Sequence, residues 1–315
     1  MYYCLVSQIK TLPSSTSTPV MEHSYIASIS ALYELTKPRL SLLSVFTTAL
    51  GFLLHDPLLT ELGLFLSLLI GTAFAAAGAA TLNQWMERHE DALMPRTSNR
   101  PLPANQVHPS FALFFGLLLS ILGLATLYFG TNLWAFSLTL ATLIIYLFLY
   151  TPLKKKSAYA TEIGAVSGAL PPLIGWVSAS GEPSAYGLIL FGILFAWQIP
   201  HFMAIAWNFR RDYSAGGFKL HLLGCDSGKA LSRKSFFYTI LLNLIVFSPF
   251  FIETKQAHPG LFYLISASVL CFYITIPSFC FYLSNRRDHF ARKLFFVTII
   301  YLPLLLATLV IDRYL

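Results

Sequence analysis

Nine stretches of this chain are apolar over roughly the 20 residues that a helix needs to cross about 30 Å of hydrocarbon. They run approximately over 40–54, 61–83, 110–129, 132–150, 160–179, 186–208, 236–252, 260–283 and 294–311. Hydrophobic residues make up 56% of the chain and charged ones 11%. A soluble domain carries about a quarter charged residues, so most of this surface needs lipid as its solvent. Runs such as FALFFGLLLSILGLATLYFG are apolar on every side and do not alternate, which makes the spanning elements helices and excludes barrel strands. The expected fold class is an all-α polytopic membrane protein, a bundle of nine transmembrane helices in a lipid bilayer.

With nine spans, the segments before span 1 and after spans 2, 4, 6 and 8 share one side. They hold 19 of the 21 Lys and Arg residues, leaving Lys255 and Arg313 on the other side. The positive-inside rule then predicts a cytoplasmic N-terminus and an outside C-terminus. The formal charge of +7 reports this topology, and no nucleic-acid partner is expected. The Ser/Thr/Pro-rich stretch TLPSSTSTP marks residues 1–30 as a disordered cytoplasmic tail, with 31–315 forming one transmembrane domain. Cys4, Cys225, Cys271 and Cys280 form no CxxC pair, so neither a disulfide framework nor a zinc site follows. Dinucleotide, P-loop, zincin and serine-hydrolase motifs are all absent.

The loop after span 2, NQWMERHEDALMPRTSNRPLP, carries the most chemistry. If span 2 continues as helix, Asn83, Glu87 and Asp91 fall at i, i+4 and i+8 and form one stripe. Two carboxylates so placed repel, and Mg²⁺ between them would offset that repulsion, since it takes one or two carboxylates plus substrate phosphates. Arg96 and Arg100 just beyond could hold phosphate oxygens bidentately. Pro95, Pro101 and Pro103 stop the helix and fold the basic segment back. The competing reading is a helix end that surfaces into water, where mixed charges are ordinary.

On the same side, RRDYSAGG after span 6 offers Asp212 to a cation shell and Arg211 to an anion, with Gly216 and Gly217 permitting a tight turn. A solvated Asp–Arg pair is the alternative there. Within span 6, WQIPHF places Gln198 and His201 around a proline as intramembrane polar candidates. His201 suits substrate contact, haem ligation, proton movement, or packing against a freed carbonyl. Lys154 or Lys155, from the triplet after span 4, is a candidate for facing a diphosphate. Gly164, Gly168 and Gly175 in span 5 suit close helix approach, and Glu162 fits an interface position.

Taken together, NQWMERHEDALMPRTSNRPLP, YTPLKKKS, GALPPLIGW, WQIPHF and RRDYSAGG resemble the UbiA-like intramembrane prenyltransferases, and within them the haem-farnesylating branch. The resemblance spans most of the chain. It implies a nine-helix bundle with a prenyl diphosphate bound through Mg²⁺ at acidic motifs after helices 2 and 6. Asn83, Glu87 and Asp91 look like the first motif and Asp212 like the second, all four as catalytic metal ligands. Arg96, Arg100, Lys154, Lys155, Arg211, Gln198, His201 and Tyr213 look like substrate contacts. The implied reaction moves a farnesyl group from farnesyl diphosphate to a vinyl group of haem b, with addition of water, giving haem O. The implied setting is the cytoplasmic face of a bacterial inner membrane, with a haem A synthase or terminal oxidase as candidate assembly partner.

Three positions depart from the family's pattern: Glu87 where Asp is favoured, Ala160 where Asn is usual, and Leu220-His221-Leu222 where Met-Leu-Pro tends to follow GGF. The nearest rival prenylates a quinone precursor or chlorophyllide. From another class, a secondary transporter would also show prolines at mid-membrane, but would bind near the midplane.

Overall fold

The computed structural model describes residues 28–157, 159–215, 217, 228–252 and 259–315, all helix, turn or irregular chain. The expected tail over 1–27, Gly216 and the departure at Leu220-His221-Leu222 lie outside the described residues. A short helix, α1 (Ile29–Leu35), is capped by Ser28, whose hydroxyl accepts from Ala31 N. Nine long helical segments follow among the described residues. They are α2 (Pro38–His55), α3 (Leu62–Met86), α5 (Pro109–Gly130), α6 (Leu133–Ile144), α8 (Ala160–Ser180), α9 (Ala185–Asn208), α11 (Lys229–Phe247), α12 (Leu261–Leu283) and α13 (Arg287–Ile311). α6 runs on through a π-helix, Ile145–Tyr150, into the single turn α7 (Thr151–Leu153). Two short helices lie between long ones, α4 (Arg88–Leu93) and α10 (Arg210–Ala215).

The expected spans recur with one systematic difference. α11 and α13 start at Lys229 and Arg287, ahead of the apolar runs at 236 and 294. Their first turns carry charges that water solvates, so the helix continues where hydropathy stops.

Outward faces are apolar: Phe114, Ile121, Phe148, Phe272 and Phe296 are each more than 60% exposed, a surface that only lipid satisfies. The centre of the bundle belongs to α8 and α9, with 72% and 61% of their spanning windows buried against 22–44% elsewhere. α8 packs on α2, α6 and α9, while α9 packs on α11 and α13. Small residues permit this. A Cβ on Gly51 would lie 2.0 Å from Pro172 O, and one on Gly175 would lie 1.9 Å from Thr48 O, so α2 and α8 touch backbone to backbone.

Candidate active site

α3 ends at Met86, and Glu87 turns the chain into α4. The i, i+4 register survives the turn, because Glu87 N donates to Asn83 O and Asp91 N to Glu87 O, both at 2.9 Å. Asn83, Glu87 and Asp91 therefore share one face, at 1%, 4% and 1% exposure. Charges buried so fully need partners, and each has one. Lys154 Nζ donates to both oxygens of Glu87 at 3.0 and 3.1 Å, and Arg100 Nη1 to Asp91 Oδ2 at 2.6 Å. Asn83 Oδ1 accepts from Lys37 Nζ at 2.8 Å, while its Nδ2 donates to Thr151 Oγ1 at 3.2 Å.

All of these groups but Thr151 line a cavity of about 140 Å³ together with Arg96, Tyr146, Tyr150, Phe202 and Tyr213. Arg96 lies over the Phe209 ring at 5.3 Å, and among the described residues no carboxylate pairs with it. Burial, aided by the nearby Arg100, pulls the Lys37 ammonium down to about 7 against the pull of Glu87. Lys154 goes the other way: burial alone would lower it, but Tyr150, Glu87 and Tyr146 outweigh that and hold its proton firmly. Lys37 also has φ 44°, a left-handed conformation that side chains rarely adopt, at the residue before Pro38.

A second, apolar cavity of about 350 Å³ reaches into the bundle between α2, α3, α6, α8 and α9. Lys37, Tyr146, Tyr150 and Phe202 line both spaces and form the collar between them. The π-helix supplies two of these: its wider turn sets Tyr146 and Tyr150 side by side, rings 5.6 Å apart.

Of the residues expected from sequence, the polar cavity brings together Asn83, Glu87, Asp91, Arg96, Arg100, Lys154 and Tyr213. Gln198 lines the apolar cavity. Lys155, Arg211, Asp212 and His201 line neither cavity. Lys155 pairs with Glu90, and Arg211 and Asp212 lie on α10. His201 stacks between Trp197 and Phe295, with ring centroids at 5.1 and 5.4 Å, and its Nδ1 bonds Thr298 Oγ1 at 2.8 Å. Glu162 pairs with Lys234 of α11. Lys37, Tyr146, Tyr150 and Thr151 were missed. Lys37 sits beside Pro38 on the basic side, a signal available but absorbed into the topology count, whereas the tyrosines lie in an apolar run with no mark on them.

Residues 44–300 match the UbiA prenyltransferase family. A protoheme IX farnesyltransferase of Opitutus terrae is 44% identical over 287 residues, 91% of this chain and 96% of that one. A digeranylgeranylglyceryl phosphate synthase structure superposes with TM-score 0.76 at 16% identity, covering 90% of this chain and 98% of that one. A UbiA homologue from Archaeoglobus fulgidus, solved bound to GPP and Mg²⁺, gives 0.58 at 15% identity, covering 89% and 99%.

Proposed function

The chain belongs to the UbiA prenyltransferase family, and from that premise we propose that it transfers a farnesyl group from farnesyl diphosphate to a vinyl group of haem b, with addition of water, as a protohaem IX farnesyltransferase. The observation that carries this reading is the meeting of two unlike cavities at one collar. A cation-lined space suits a diphosphate, an apolar chamber suits an isoprenoid, and the allylic carbon joining the two falls between Lys37, Tyr146, Tyr150 and Phe202.

Asn83, Glu87 and Asp91 offer an amide oxygen and two carboxylates, hard donors that fit Mg²⁺, which leaves several positions to substrate oxygens. Asp212, next in the chain to the cavity-lining Tyr213, is the further acid we assign to it. When bound, Mg²⁺ supplies positive charge at the departing diphosphate. Arg96, Arg100 and Lys154 hold the diphosphate oxygens and orient the allylic C–O bond. The π faces of Tyr146, Tyr150 and Phe202 stabilise the positive charge that develops as that bond breaks and its electron pair leaves with diphosphate. The apolar chamber keeps bulk water from the cation until the vinyl π pair has bonded to it.

The charge asymmetry supports a cytoplasmic N-terminus, an outside C-terminus and a site on the cytoplasmic face, and the membrane we assign is a bacterial inner membrane. A haem A synthase or terminal oxidase is the assembly partner this chemistry suggests. The test incubates detergent-purified protein with haem b, farnesyl diphosphate and Mg²⁺, with and without EDTA, and weighs the extracted porphyrin. Gain of one farnesyl and one water, absent with EDTA, is expected. Unmodified haem would overturn the reading, and transfer to an aromatic acceptor instead would favour the rival prenyltransferases.

A further inference from the structure

Joining the vinyl carbon to the farnesyl group leaves a cation on the porphyrin-side carbon, which water must quench. A water attacks through a lone pair, so its hydrogens point away from the carbon and need acceptors behind them. In the polar cavity Lys37, Arg96, Arg100 and Lys154 are donors, which would turn a water the wrong way round, and the acceptors Asn83, Glu87 and Asp91 are taken up by Lys37, Lys154 and Arg100.

The apolar chamber does present an acceptor. Gln198 is 6% exposed, and its Nε2 donates to Ala165 O at 3.3 Å and Leu194 O at 3.2 Å. Those two bonds fix the amide, because a flip would set Oε1 against two carbonyl oxygens. No described group donates to Oε1. It occupies the notch left by the missing side chain of Gly168, where a Cβ would lie 2.1 Å from it. Among the side chains lining the chamber, the others with polar atoms are hydroxyls and the Lys37 ammonium, so Gln198 alone brings a carbonyl oxygen. Ser41, Thr139, Thr142 and Ser167 donate their hydrogens to backbone carbonyls.

We propose that Gln198 Oε1 holds the water that hydrates the porphyrin cation, in the notch that Gly168 provides. Phe202 of the collar lies one turn away on α9, on the same helix face, with its Cβ about 6 Å from that of Gln198. The oxygen lone pair of the water forms the new C–O bond, and the proton it sheds passes to diphosphate, the base released in the same turnover. Gln198 keeps its own protons throughout and serves as a positioning residue. This inference rests on the farnesyl-transfer reading above.

The test reads product mass. In the haem b assay, Gln198→Leu should still release diphosphate but shift the product by about tenfold towards a farnesylated porphyrin one water lighter, formed by proton loss in place of hydration. Gln198→Glu, which keeps an oxygen acceptor, should restore the hydrated product. Gly168→Ala should reproduce the lighter product by pushing the amide out of its notch, and it decides the matter if Gln198→Leu fails to fold. Hydrated product in wild-type proportion from either folded variant would overturn the inference. A wild-type protein that leaves haem unmodified would instead overturn the reading beneath it.

Discussion

Lys37 Nζ lies 2.8 Å from Asn83 Oδ1, so the residue that heads the acidic stripe is held by a cation from just before the first long helix. The contact joins α2 to the end of α3 at the point where the two cavities meet.

Its charge depends on pH near neutrality. The Lys37 ammonium is lowered from 10.5 to about 7, so the fold disfavours the proton. The resulting cost to stability is absent above 10.5, grows as pH falls and is complete below about 7. Lys37→Met should therefore melt higher than wild type below that pH, with the gap closing as pH rises. Affinity for inorganic diphosphate should rise more steeply in wild type than in Lys37→Met as pH falls through about 7. Parallel titrations would remove Lys37 from the anion site.

Alanine at Asp91 or Asp212 should lower kcat/KM by at least about a hundredfold while the protein stays folded. Asp91→Ala also strands the Arg100 guanidinium, so Asp91→Ala with Arg100→Ala should destabilise less than the sum of the two single changes. Full turnover in either acid variant would remove that residue from the metal site.

Tyr146→Phe keeps a π face at the collar and should retain most activity, whereas Tyr146→Leu should lose about tenfold in kcat with little change in KM. Equal rates for the two variants would show that the ring serves only to fill space.

Gly175→Ala should destabilise the bundle by about 1–3 kcal/mol, because its Cβ would meet Thr48 O at 1.9 Å. Thermal melting in detergent checks this, with Gly63→Ala as the control, since a Cβ there meets nothing.

The spans were legible because crossing lipid demands a length of apolar chain that little else in a sequence imitates. The stripe Asn83, Glu87, Asp91 was legible because the helical register is arithmetic. What the stripe pairs with was not: Lys154 and Arg100 reach Glu87 and Asp91 through packing that no local pattern encodes. The π-helix at Ile145–Tyr150 lies in a uniformly apolar run, where i→i+4 and i→i+5 bonding read alike. Gln198 and His201 carried the same signal, a polar residue beside an intramembrane proline, and are three positions apart. One lines the chamber and the other bonds Thr298 of α13, a divergence set by neighbours on other helices.

Because Glu87 and Asp91 already hold Lys154 and Arg100, loading the proposed site would require an exchange of ionic partners. On the proposed assignment, Mg²⁺ held by the carboxylates would leave the ammonium and guanidinium free for the incoming diphosphate. Arg96, with which no carboxylate pairs among the described residues, would meet the diphosphate without any such exchange. When diphosphate leaves, the old pairs would close again behind it, which would favour release of a highly charged fragment.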